Sequence, residues 1–262
     1  MNRICAVAAT TAAVLVLLAS PVGAAVYTLT DANSSSVVDT GPGGMTSWTV
    51  DGVQHLARQW FWYRVGAGGG ETNVGALSLI SATQLSPDYL RLMYQGSSFT
   101  IELKLTLTGG SPGSGTSDIG ESIKIVNTGA TPLDFHFFQY VDLNLNGQAV
   151  NSSVEIVGGN TAVQTNGLTT VSETVETPTA SRYEVGFAPG TLTSLTDGSP
   201  TTLSNMGGPI GPGDLTWAFQ WDRALAAGGS FLISKDKHIV PEPATLCLLA
   251  LGALGAMRRR GR

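Results

Sequence analysis

Residues 99–108 alternate apolar and polar side chains without a break, with Phe99, Ile101, Leu103, Leu105 and Leu107 set against Thr100, Glu102, Lys104, Thr106 and Thr108. A repeat of two is that of a strand with one buried face, so the segment predicts a β-strand with its leucines inward and its Thr, Glu and Lys in solvent. The same rule predicts strands over 26–30, 54–65, 76–84, 89–94, 122–126, 133–145, 154–157, 168–176, 182–187, 215–223 and 231–239, each rich in Thr, Val, Ile or aromatics and bounded by Gly, Pro, Asn or Asp. The Gly/Ser-rich stretch 109–117 predicts a hairpin with a flexible tip, and 127–132 reads as the next turn. No convincing amphipathic helix pattern occurs between residues 26 and 238. The expected fold is therefore all-β, an antiparallel β-sandwich or jelly-roll-like domain. Segment 188–214, rich in Gly, Pro, Ser and Thr, is the best candidate boundary if the body divides into two smaller β domains. As a long loop it is also a place where a strand would escape notice.

Both ends depart from this pattern. At the N-terminus Arg3 precedes an apolar run over 4–20, and small residues follow over 21–25. That order predicts a signal peptide cut after Ala24 or Ala25. At the C-terminus Pro241 and Pro243 each fix φ and lack an N–H, which predicts that regular structure stops there and leaves Glu242 extended and accessible. Residues 244–257 then carry no charge, and Arg258, Arg259, Arg260 and Arg262 form the cationic flank that stays on the cytoplasmic side. As a helix those residues would span about 21 Å at ~1.5 Å per residue, against roughly 30 Å of hydrocarbon. Snorkelling arginines and local thinning narrow the difference.

The series Val240, Pro241, Glu242, Pro243, apolar segment, arginine cluster closely resembles the PEP-CTERM sorting signal of exported bacterial proteins. The resemblance is confined to the tail. It implies a partner, an exosortase-type membrane protease associated with exopolysaccharide-producing Gram-negative bacteria, that reads and cleaves the motif. It also implies that the chain is held in the membrane through 244–257 before processing and lies at the cell surface or in the extracellular matrix afterwards. The expected organisation is a signal peptide over 1–25, a β-sandwich ectodomain over 26–238 and a sorting tail over 239–262.

Cysteine and charge acquire meaning once the ends are set aside. The two cysteines are Cys5, in the signal segment, and Cys247, in the tail. A body without cysteine has no thiolate nucleophile, thiolate metal site or redox pair, and its size is sufficient for a stable core without disulfides. Residues 26–241 hold nine basic and eighteen acidic side chains. That balance, with no Lys/Arg stripe, excludes nucleic acid as a partner.

Candidate chemistry in the body is sparse. Trp60 and Trp62 share one face of a predicted strand, and Trp217 and Trp221 form a second one-face stripe. Alternate aromatics first read as filling between packed sheets. The alternative is a sugar-stacking platform for extracellular polysaccharide. Asp142, Asn144, Asn146 and Gly147 match the start of a calcium loop, but Ser153 stands where a bidentate Glu is needed, and a strand ending in an Asn-Gly turn accounts for them better. His55, His136 and His238 form no ligand-spaced pair, and no Gly-x-Ser-x-Gly elbow occurs. Residues 66–70 are a Gly-rich turn without the helix and lysine of a phosphate loop. Asn33 and Asn151 head glycosylation-type triplets, which predict little in a bacterial setting. Glu102, Glu121, Glu155 and Glu184 lie in predicted strands, yet no sequence feature selects a catalytic pair.

The resulting expectation is a noncatalytic envelope or matrix protein without cofactor or metal, associated with exopolysaccharide or biofilm. Its rivals are a carbohydrate-binding module or a carbohydrate-active enzyme, with two close carboxylates in a cleft flanked by Trp60 or Trp217, and a calcium-dependent adhesion module built around Asp142.

Overall fold

A computed structural model describes residues 23–242. Residues 1–22 of the expected signal peptide, Pro243, the apolar segment 244–257 and the arginine cluster lie outside the described residues. No helix among the described residues is long and apolar enough to cross a membrane. The strands, numbered in chain order, are β1 (Val26–Asp31), β2 (Ser34–Asp39), β3 (Gly44–Val50), β4 (Val53–Gln54), β5 (Leu56–Val65), β6 (Thr72–Asn73), β7 (Ser78–Ser86), β8 (Tyr89–Gln95), β9 (Phe99–Gly109), β10 (Ser117–Asn127), β11 (Leu133–Leu143), β12 (Ser152–Val157), β13 (Thr161–Thr165), β14 (Thr169–Thr177), β15 (Arg182–Phe187), β16 (Ile210–Gly213), β17 (Leu215–Leu225) and β18 (Ser230–Pro241).

These strands form two antiparallel sheets packed as a sandwich. The first runs β1-β2-β3-β5-β11-β17-β15, with β4 on β3 and β6 on β5; the second runs β16-β12-β13-β14-β18-β10-β9-β8-β7. In β9 the inward series Phe99, Ile101, Leu103, Leu105 and Leu107 is buried, as the alternation predicts. Burying each such side chain contributes roughly 1.5–3 kcal/mol. Polar anchors join the sheets where the apolar pattern is interrupted: Trp48 Nε1 donates to Ser117 Oγ at 3.0 Å and Tyr94 Oη to the Thr40 carbonyl at 2.7 Å.

Several expectations change. The 109–117 hairpin tip is tethered, because the Asp51 carboxylate accepts from the N–H groups of Gly113 and Gly115 at 2.6 and 2.8 Å. Segment 188–214 contains a short helix, α1 (Gly190–Ser194), and the edge strand β16. The long 133–145 strand stops at Leu143; a 3₁₀ turn follows in which Asn146 adopts φ 57°. Strands β2, β3 and β13 have no counterpart among the predicted ones, because Ser and Thr at many of their positions leave little apolar alternation to read. Glu242 is not free either. Its N–H donates to the Leu168 carbonyl at 2.8 Å and its carboxylate accepts from the hydroxyls of Thr165 and Thr170. The sorting motif therefore begins inside β18, which lies between β14 and β10 in the second sheet.

Candidate active site

The first sheet has two buried faces, and they differ in character. Phe61 stacks on Phe137 at 5.5 Å and lies 5.3 Å from Lys235 Nζ of the second sheet, so this face looks into the sandwich. Residues paired directly across a ladder share a face. On the opposite, outer face the register therefore builds four rows across β5, β11, β17 and β15: Arg58, Asp142, Thr216, Gly186; Trp60, Tyr140, Ala218, Glu184; Trp62, Phe138, Gln220, Arg182; and Arg64, His136, Asp222.

The two tryptophan stripes thus lie on opposite faces of one sheet. Trp60 and Trp62 point outward and Trp217 and Trp221 inward, and each is at most 1 % exposed. None presents a free indole face on which a sugar ring could stack. Trp60 lies across Gly44, where an added Cβ would stand 2.4 Å from the ring. Trp221 Nε1 donates to the Pro178 carbonyl.

Segment 188–209 closes the last rows. The Glu184 carboxylate accepts from the Thr191 hydroxyl at 2.8 Å and the Ser204 N–H at 3.0 Å, and Gln220 Oε1 accepts from the Leu203 N–H at 2.9 Å. Arg64 pairs with Glu71 at 2.9 Å, and Glu71 also takes the Thr201 N–H. His136 is held between Asp222 and Asp134 at 2.6 and 3.3 Å. Apart from Glu71 Oε2, which is buried without a partner, these polar groups are committed to one another.

The first row differs. Arg58 sits 5.5 Å above the Trp62 ring and donates through Nη2 to the Pro42 carbonyl at 2.8 Å, while its Nε has no partner. Asp142 Oδ2 accepts a 3.4 Å bond from Tyr140 Oη; Asp142 Oδ1 and Asp214 Oδ1 are buried without a partner, as is Trp60 Nε1 in the adjacent row. Buried polar atoms are almost always hydrogen-bonded, so these four mark the patch as one place where a polar molecule would be satisfied; other such atoms lie singly on Glu71, Gln139, Ser152, Gln164, Glu173 and Trp217. Burial, and then the neighbouring charge of Asp214, push the Asp142 carboxyl up to about 6. Burial, then the charge of Asp142, pushes the Tyr140 phenol far up, so it remains a hydrogen-bond donor. A carboxyl raised in this way is suited to donate a proton, and Asp214 places a second carboxylate beside it.

The carboxylates suggested by strand position go elsewhere. Glu102 pairs with Arg91 and Lys104, Glu121 is buried between the sheets beside Lys235, Glu155 is exposed, and Glu184 holds the covering segment. Sequence reasoning missed Asp214, which no motif marks, and for Asp142 weighed a calcium loop but preferred a strand ending in an Asn-Gly turn. The Asp142 oxygens do not converge with those of Asn146. Asn146 instead binds Asn166 and Thr169, and its N–H donates to His55 Nδ1 at 3.2 Å. Among the described residues no group of three or more His, Cys, Asp or Glu is arranged to hold a metal ion. Burial pushes His55 down to about 4, so it is a neutral hydrogen-bond acceptor.

A second raised carboxylate lies on the outer face of the second sheet. Burial, then a hydrogen bond with Asp118 and its charge, push Asp236 up to about 7. The groove there, about 290 Å³, is lined by Tyr89, Lys104, Ser122, Glu176, Ser234 and Asp236 among others. His238 answers Asp118 at 3.3 Å.

Comparison with known proteins addresses the two parts of the chain separately. Residues 240–261 match the PEP-CTERM protein-sorting motif. The motif marks an exported precursor, anchored in the membrane and processed by exosortase. No curated protein matches the chain. In fold, the chain is similar to a bacterial glucoamylase complexed with acarbose, at a TM-score of 0.58 and 8 % identity over 90 % of this chain; it spans only 36 % of that protein. It is also similar to a putative aldose 1-epimerase from Escherichia coli K12, with a TM-score of 0.56 and 12 % identity over 84 % of this chain and 99 % of the other. A third likeness is to the Slr1438 protein from Synechocystis sp. PCC 6803, with a TM-score of 0.55 and 11 % identity, covering 85 % and 98 % of the two chains. At such identities the likeness is one of fold. It nevertheless overturns the expectation of a noncatalytic body, because this sandwich is shared with proteins named as enzymes of sugars.

Proposed function

We propose that the body is a carbohydrate-active enzyme domain, exported and sorted to the cell envelope, whose reacting groups are Asp142 and Asp214 on the outer face of the first sheet. The observation that carries this reading is Asp142 itself, a carboxyl held neutral up to about pH 6 with one oxygen unpartnered, beside Asp214, which also has one buried oxygen without a partner. Asp142, when protonated, donates to a sugar oxygen, and Asp214 accepts a proton or stabilises developing positive charge. Arg58 and Tyr140 supply donors to hydroxyls, and the buried indoles beneath keep the floor apolar. The sandwich shared with an aldose epimerase and a glucoamylase supports a substrate with an anomeric centre. The tail supports an extracellular substrate, with exopolysaccharide or biofilm matrix as its setting.

The test is a substrate screen on the purified processed protein, following anomer exchange of free aldoses by polarimetry and depolymerisation of envelope polysaccharides by chromatography. Asp142→Asn and Asp214→Asn should each lower the rate by at least about a hundredfold, the usual scale for an acid–base group, while the variants stay folded. A wild-type protein inert on both substrate classes, or variants as active as wild type, would remove the reading.

A further inference from the structure

Between the sheets, where apolar packing is the rule, four charges and two amides meet. Lys235 and Lys237 of β18, Glu121 of β10, Glu173 of β14, and Gln59 and Gln139 of the first sheet are each no more than 4 % exposed. Lys235 Nζ pairs with Glu121 Oε2 and with Glu173 Oε1 at 3.1 Å. Lys237 Nζ lies 3.2 Å from Glu173 Oε2 and 3.5 Å from Glu121 Oε1, and contacts Gln59 Oε1 directly. Gln59 Nε2 in turn donates to Glu121 Oε1, and Gln139 Nε2 donates to Glu173 Oε1 at 2.6 Å.

One carboxylate oxygen, Glu121 Oε1, thus touches both the amine of Lys237 and the amide nitrogen of Gln59, while that amine rests on the carbonyl of the same amide. This is the constellation of an amide exchange: a nucleophile, an acyl group and a proton carrier in mutual contact, held out of water. Lys235 lacks it, because its partners are carboxylates rather than an amide.

We propose that Lys237 and Gln59 condense into an intramolecular isopeptide bond that joins the two sheets covalently, with Glu121 as the proton carrier. Burial works against the Lys237 ammonium, but the charges of Glu173 and Glu121 outweigh it and hold the resting group protonated. The reaction therefore starts with transfer of one ammonium proton to Glu121. The freed Nζ lone pair attacks Gln59 Cδ. Glu121 passes its proton to Nε2 and takes the second proton from Nζ as the Cδ–Nε2 bond breaks and ammonia leaves. The products are a secondary amide, one ammonia and a neutral Glu121. Atoms and charge balance, and no oxidant or cofactor enters. The buried charges fall from four to two, a Lys235–Glu173 pair, which relieves part of the desolvation cost of ions in an interior. The bond would give a cysteine-free extracellular body a covalent tie between residues 178 positions apart.

Peptide mapping of the full chain, isolated folded and then denatured and digested with trypsin, tests the proposal. The expected result is a branched peptide containing both Gln59 and Lys237, one ammonia lighter than the two separate peptides, with no cleavage after Lys237. Glu121→Gln should return the two peptides uncrosslinked. Separate, full-mass Gln59 and Lys237 peptides from folded wild-type protein would overturn the proposal whether or not the variant folds. A cross-link that persists in Glu121→Gln would overturn the role of Glu121.

Discussion

The Thr165 hydroxyl donates to the Glu242 carboxylate at 3.0 Å, so the acid of the sorting motif is fastened to the sheet that it leaves. No linker separates the folded body from the signal: Val240 and Pro241 pair with Thr170 and Thr169 in the β14–β18 ladder. A protease that needs the motif as an extended substrate must first detach it.

Thr165→Val with Thr170→Val removes both hydroxyl donors to Glu242 while leaving strand-forming side chains in place. Conversion of precursor to processed protein, followed by pulse-chase, should run faster than in wild type. An unchanged rate would mean that docking of Glu242 does not limit access.

Asp142 has a stability signature as well as a chemical one. Its folded carboxyl titrates near 6 against an ordinary value of 3.8, so the folded state binds the extra proton between about pH 4 and 6, and stability is lost as pH rises through that window. Asp142→Asn should therefore raise the unfolding free energy at pH 8 by up to about 3 kcal/mol, on ~1.4 kcal/mol per pH unit. The gain should vanish below about pH 4. Paired with lost activity, it is the trade-off expected of a reacting group held at a cost. Denaturant melts at the two pH values decide it.

His55 works in the opposite direction. Its folded value near 4 lies below the ordinary 6.5, so the unfolded chain binds the proton first and stability is lost as pH falls from about 6.5 to 4. His55→Asn keeps an acceptor for the Asn146 N–H without a titrating ring. It should flatten the stability profile across that window, as read from melting temperature against pH.

In the core of protein whose Lys237 has not condensed with Gln59, Lys235→Met would leave Glu121 and Glu173 facing a single cation. Breaking a buried pair in this way costs about 3–5 kcal/mol. Lys235→Met with Glu173→Gln should recover part of that loss, because charge balance is restored. In the same uncondensed protein burial works to raise the Glu173 carboxyl, but Lys235 and Lys237 outweigh it and hold it down to about 2, so its share of stability should fall away as pH drops from about 4.5 toward 2. Urea titrations of the single and double variants at neutral and acid pH give both numbers.

Strands such as β9 and β15 were legible because one inward face is apolar throughout or the run is bounded by turn residues. The start of β10 was not. Its inward series is Ser117, Ile119, Glu121, Ile123, Ile125, and the buried Glu breaks the apolar count that marks a strand. β18 was legible as a strand over 231–239, but the burial of its inward Lys235 and Lys237, between Ile233 and Ile239, was not. The polar cluster that most distinguishes this core was invisible because a lone charged residue in a strand reads as solvent-facing.

What the sequence determined by itself is what depends on local order: a β repeat of two, a body without cysteine, and a Pro-Glu-Pro tail whose signal is carried by consecutive residues. What the tertiary structure decided depends on residues far apart in the chain. Only the ladder register puts Arg58 and Thr216 on either side of Asp142, sends Trp60 and Trp217 to opposite faces, and sets Lys237 against Gln59 across the sandwich. The reason is physical: alternation says that a side chain has a buried face, but which partner waits there is set by strand pairing and sheet packing, for which no single segment carries the information.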